Sequence, residues 1–100
     1  MSKTPEGKVK DQIRKYMRAS GWTMIHIPGN TFSFPGSPDY IALRKGTCVF
    51  IEVKSAKGKL TEEQEQAKRI IEEQGFLHIT ARSAGDVHDA LVSANILKEQ

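Results

Sequence analysis

The stretch from Asp39 to Lys54 constrains the chain most. Asp39 to Leu43 and Cys48 to Lys54 are two β-rich runs, and Arg44-Lys45-Gly46-Thr47 between them reads as a hairpin turn. Side chains alternate along a strand, so Val49, Ile51 and Val53 face one way while Phe50, Glu52 and Lys54 face the other. A turn centred on Lys45-Gly46 pairs residues whose numbers sum to 91, and a four-residue loop on the same centre gives the same pairing. That register sets Asp39 directly opposite Glu52. Lys45 is not the residue a tight primed turn favours, and a one-residue slip would undo the opposition.

Directly opposed residues on one sheet face have Cβ atoms ~4.5–5.5 Å apart, and like charges there are destabilising. A divalent cation would resolve the conflict, because hard cations prefer carboxylate oxygens. Lys54 lies on the same face, two residues beyond Glu52. A plainer reading stands beside this one. Asp39 follows Pro38 in a Ser-Pro-Asp turn, where Asp is common, and Glu52 and Lys54 would be exposed residues of an amphipathic strand.

The rest of the chain fits around the hairpin. Thr4-Pro5 predicts a helix start, Val9, Ile13, Tyr16 and Met17 give an apolar stripe, and Gly21 ends it. Lys8, Lys10, Arg14, Lys15 and Arg18 are expected on the opposite face. Trp22 to Ile27 predicts a short strand, and Pro28 to Pro38 a long loop of the kind that is often functional. Ala56 to Lys59 reads as a basic loop. Thr61 and Gln64 form a capping box for a helix through Ala67, Ile70 and Ile71 to Gly75. Phe76 to Thr80 predicts a fourth strand. Ser83 and Asp86 cap a last helix with Val87, Ala90, Leu91 and Ala94 as its apolar face. The predicted order is α-β-β-β-α-β-α, an α/β chain.

A length of 100 residues predicts one domain spanning 1–100. With 38% hydrophobic and 27% charged residues the composition argues against disorder. Cys48 is the single cysteine, which excludes a disulfide framework and a cysteine-rich zinc site; it is expected as a buried small hydrophobe. His26, His78 and His88 lack metal-ligand spacing and read as structural or surface residues. No apolar run or leader pattern predicts a membrane partner or export, so a cytoplasmic protein is expected. The net charge of +3 hides an asymmetry. Residues 1–60 carry eleven Lys/Arg against four acids, +7, while residues 61–100 carry four against eight, −4. The first half suits a polyanionic partner, and uneven solvated surface would look the same.

Pro38-Asp39 followed by Glu52-Val53-Lys54 resembles the active-site signature of the PD-(D/E)XK nuclease superfamily. Gly36-Ser37-Pro38-Asp39, Phe50 to Ser55 and Leu60-Thr61 with Gln64 further resemble the VRR-NUC (virus-type replication–repair nuclease) domain. The resemblance runs from about Glu6 to Thr80. It implies a restriction-endonuclease-like αβββαβ core, a mixed central sheet flanked by helices, here followed by a C-terminal helix. It also implies that Asp39, Glu52 and the Val53 backbone carbonyl bind Mg²⁺ or Mn²⁺. Lys54 would orient or help deprotonate the attacking water. Gln64 would sit beside the metal, or only complete its capping box. Glu6 would reach the metal directly or through water, or only offset the helix dipole.

The function so implied is a metal-dependent endonuclease for branched DNA in a bacterial or phage-infected cell. Its substrate would be the four-way (Holliday) junction, cut by a small homodimer whose two-fold axis sets two sites on opposed strands. Lys8, Lys10, Arg14, Lys57 and Lys59 would contact phosphates. Phe32 and Phe34 would pack locally, stack on bases or meet a second subunit. Two other functions compete. A non-catalytic nucleic-acid-binding module would use the same basic face and tolerate loss of Asp39. Sequence-specific restriction would require more chain than this.

Overall fold

A computed structural model describes residues 4–29 and 34–97. The elements are α1 (Pro5–Ala19), β1 (Thr23–His26), β2 (Tyr40–Arg44), β3 (Thr47–Val53), α2 (Glu62–Glu73), β4 (Leu77–Ala81) and α3 (Ala84–Ser93). The order is the predicted one; β1 is one residue shorter at each end, and β2, β3 and β4 are each shifted by one residue. Each helix starts where a side-chain cap was expected. The Thr4, Thr61 and Ser83 hydroxyls accept from Gly7, Gln64 and Asp86 N–H respectively.

The sheet order is β1-β2-β3-β4. The first three strands pair antiparallel and β4 runs parallel to β3, so the sheet is mixed. The parallel step needs a crossover, which α2 supplies. Lys45 and Gly46 both have positive φ, 45° and 84°, so the turn takes the primed form despite the lysine. Tyr40 pairs with Ile51 and Ile41 with Phe50, numbers that sum to 91 as predicted.

One sheet face is packed and the other only half covered. Tyr40, Ala42, Val49, Ile51, Val53, Ile79 and Ala81 join Ile13 and Met17 of α1 and Val87 and Leu91 of α3 in the main core. On the opposite face α2 buries Ala67 and Ile71. The β1–β2 half of that face is bare: Ile25 is 44% exposed and Leu43 39%. Cys48 lies beside Leu43 on it. It is therefore half-buried, not buried as expected of a small hydrophobe in a strand. His78 is buried and His26 and His88 are exposed. Phe34 is exposed, and Phe32 lies outside the described residues. Among the described residues no helix is long and apolar enough to cross a membrane.

Candidate active site at the open end of the hairpin

The hairpin ends opposite its turn in an acidic pair. Extending the Tyr40–Ile51 register by one residue puts Asp39 beside Glu52, as the sequence required. Two hydrogen bonds lock Asp39. Its Oδ2 accepts the Val53 N–H at 2.8 Å, and its backbone carbonyl accepts the Ile27 N–H at 2.8 Å. The Val53 side chain is wholly buried in the main core, so only its backbone can serve the site.

Glu52 is 3% exposed, which excludes the reading of an ordinary solvent-facing strand residue. Burial first, and the facing Asp39 carboxylate second, push its carboxyl from the ordinary 4.5 up to about 8; Lys54 pulls the other way. The Lys54 Nζ stands 3.9 Å from Glu52 Oε2, and its side chain is 13% exposed. A cation between the two carboxyls would relieve both the burial cost and the repulsion.

Gln64 closes the capping box and also faces the acid pair. Its Oε1 accepts the Thr61 N–H at 2.9 Å, which closes the capping box, while its Nε2 donates to Glu52 Oε2 at 3.4 Å. The long 3.4 Å contact is weak, but it turns the amide toward the acid pair.

Glu6 reaches the pair through a lysine. The Lys10 Nζ lies 3.4 Å from Glu6 Oε2 and 3.6 Å from Asp39 Oδ1. Lys10 therefore points into the site and not out to solvent with Lys8. Arg14 is also committed: its guanidinium donates to the Tyr40 hydroxyl and pairs with Asp11. Both residues sit three positions before a buried residue, Ile13 and Met17. They therefore flank the buried face of α1 and do not oppose it. Lys8, Lys57 and Lys59 are exposed. Among the described residues no three His, Cys, Asp or Glu side chains gather into a ready-made cation cluster, so the acid set is the pair alone.

Two features escaped the sequence reading. Gly36 has φ +78°, and a Cβ there would lie 2.2 Å from the Glu63 carbonyl oxygen. The loop before Asp39 thus rests directly on the first turn of α2, backbone against backbone, beside Gln64. Only the Gly-Ser-Pro-Asp run hinted at this. Arg82 donates from its guanidinium to the Ser55 carbonyl and ties down the start of the basic loop. Nothing local marked it.

The pair opens into a cleft of about 780 Å³ lined by Gly29, Phe34, Gly36, Asp39, Glu52 and Gln64. A depression of similar size, about 790 Å³, lies at the turn end among Ser20, Gly21, Arg44 and Cys48. It holds no carboxylate. Its Arg44 is spent on the Ser20 carbonyl at 3.0 Å and on the Trp22 ring, whose centroid is 4.9 Å away. Of the two, only the first cleft is lined by the acid pair. Two facing carboxylates, one of them buried, are a donor set that fits a hard divalent cation.

The comparisons with known proteins agree on this architecture. Residues 3–89 match the family described as archaeal Holliday junction resolvase (Hjc). One solved structure, described as a VRR_NUC domain, superimposes with a TM-score of 0.77 at 24% identity. The match covers 91% of this chain and 97% of that one. A second, described as a VRR_NUC domain protein, has a TM-score of 0.64 at 17% identity, covering 93% and 89%. Those identities speak for the fold. No curated protein sequence matches. The family match spans most of the chain, and the chain belongs to the archaeal Holliday junction resolvase family, a family of nucleases.

Proposed function

We propose that the protein is a divalent-metal-dependent endonuclease that cuts four-way DNA junctions as a homodimer. The observation that carries this reading is the buried Glu52 carboxyl facing Asp39 across the hairpin. A pure DNA-binding module gains nothing from two acids turned toward a polyanion.

Asp39 and Glu52 would hold Mg²⁺ or Mn²⁺, with the Val53 carbonyl as a further ligand. The bound ion supplies Lewis-acid polarisation of the phosphate and a more acidic water. The remaining work falls to the chain. The Val53 N–H orients Asp39, and Gln64 steadies Glu52. Lys54, 3.9 Å from Glu52 Oε2, offsets negative charge on the phosphate and orients the attacking water. Glu6 acts on the pair through Lys10. Exposed Lys8, Lys57 and Lys59 take backbone phosphates, and Lys10 and Arg14 border that surface. Binding is therefore steeply salt-dependent and reads shape rather than sequence.

The bare sheet face supports the homodimer. Rows across it read Ile25–Ile41–Phe50 and Thr23–Leu43–Cys48. Phe76, 46% exposed, packs edge-on against Phe50 with ring centroids 6.0 Å apart. A contiguous apolar stripe of this kind marks an interface. A second copy would cover it. The face is a step, raised where α2 lies and bare over β1–β2, and a two-fold axis sets each raised half over the partner's bare half.

The test compares a four-way junction with a linear duplex of matched sequence, in Mg²⁺, Mn²⁺ or EDTA. Junction cleavage with either ion and none in EDTA is expected. Asp39→Ala should abolish cleavage while junction binding persists. No cleavage with any metal refutes the enzyme and leaves the binding module. Equal cutting of both substrates refutes junction selectivity alone.

A further inference from the structure

The parallel pairing of β3 with β4 sets Thr80 directly across from Glu52. Partners in register share a sheet face, so Thr80 extends the Asp39–Glu52 row by one strand. Its Oγ1 is buried and has no hydrogen-bond partner among the described residues. A buried hydroxyl left unpaired costs free energy, and such a group calls for an explanation. Packing does not provide one. Valine has nearly the same shape and would fill the same space with no orphaned oxygen.

The neighbouring acid offers the explanation. The contacts that Gln64 and Lys54 make with Glu52 both fall on its Oε2 and both are long, 3.4 and 3.9 Å. That is a thin donor supply for a carboxylate 3% exposed. A carboxylate holding a cation there needs a further donor, and Thr80 holds a spare one in the adjacent position.

We propose that Thr80 is a positioning residue for Glu52, its hydroxyl donating to the carboxylate when Glu52 serves as a metal ligand. The inference rests on the metal-site reading above. Outer groups that hold a ligand in place are typically worth 10–100-fold in metal affinity.

The experiment titrates Mg²⁺ and Mn²⁺ into the full chain without DNA, by calorimetry, for wild type, Thr80→Val and Thr80→Ser. Urea unfolding in EDTA runs alongside. Thr80→Val should raise the metal Kd at least about ten-fold. Its urea midpoint in EDTA should match or exceed wild type, because an orphaned hydroxyl has gone. Thr80→Ser, which keeps the hydroxyl, should restore most of the affinity. Equal Kd for wild type and Thr80→Val overturns the proposal. So does equal weakening by Val and Ser, which would trace the effect to packing. A wild type that binds neither ion removes the metal site itself, a result distinct from equal binding.

Discussion

Glu52→Gln should stabilise the metal-free protein. Gln has the shape of a protonated Glu, and its amide can donate to Asp39 as the carboxyl proton does. Wild type must take up a proton on folding, because Glu52 titrates near 8 in the fold against 4.5 in the open chain. A raised pKa contributes stability that is complete below pH 4.5 and is lost as pH climbs through 8. Each pH unit in that window counts about 1.4 kcal/mol, so at pH 7 wild type has lost about 3 kcal/mol that the variant keeps. For a domain of this size that is on the order of 10–20 °C in Tm. The assay is urea or thermal unfolding of both proteins in EDTA at pH 4.5, 7 and 8. The difference should be near zero at pH 4.5 and widen with pH. Adding Mg²⁺ should stabilise wild type by mass action and leave the variant unmoved. A variant no more stable than wild type at pH 7 and 8 in EDTA would refute the reasoning. It would mean that the acid pair carries no strain for a cation to relieve.

Gly36→Ala should cost at least about 2 kcal/mol, because φ +78° disfavours any side chain and the new Cβ would strike the Glu63 backbone. A urea midpoint unchanged from wild type would contradict the packing described. Leu43→Glu puts a charge in the middle of the bare sheet face and should convert a dimer to a monomer by light scattering while the fold persists by circular dichroism; a dimer that survives would move the interface elsewhere. Burial pushes His78 down to about 4, so the unfolded chain takes up a proton below pH 6.5 that the fold refuses. That lowers stability by about 3 kcal/mol as pH falls from 6.5 to 4. Comparing wild type with His78→Leu cancels the opposite slope of Glu52, and a difference independent of pH would count against a buried neutral His78.

Local chemistry wrote much of this protein in one dimension. The caps at Thr4, Thr61 and Ser83 act within three residues, so they were legible without any tertiary contact. The hairpin register was legible for the same reason: a two-residue turn at Lys45-Gly46 sets every pair, and pairs summing to 91 carry Asp39 to Glu52. The acid pair was therefore determined by sequence alone. What the pair is worth was not. Glu52 lies between β2 and β4 with Gln64 of α2 against it, and its burial is the largest cause of its raised pKa. Lys10 and Arg14 looked like a free basic stripe because periodicity names a face but not its edge. The rotation of α1 on the sheet turned one toward Asp39 and the other toward Tyr40. Gly36 against Glu63, Arg82 on Ser55 and Thr80 beside Glu52 join residues 27 or 28 positions apart. Contacts of that span depend on how the crossover through α2 returns to the sheet, and no periodicity or cap encodes it.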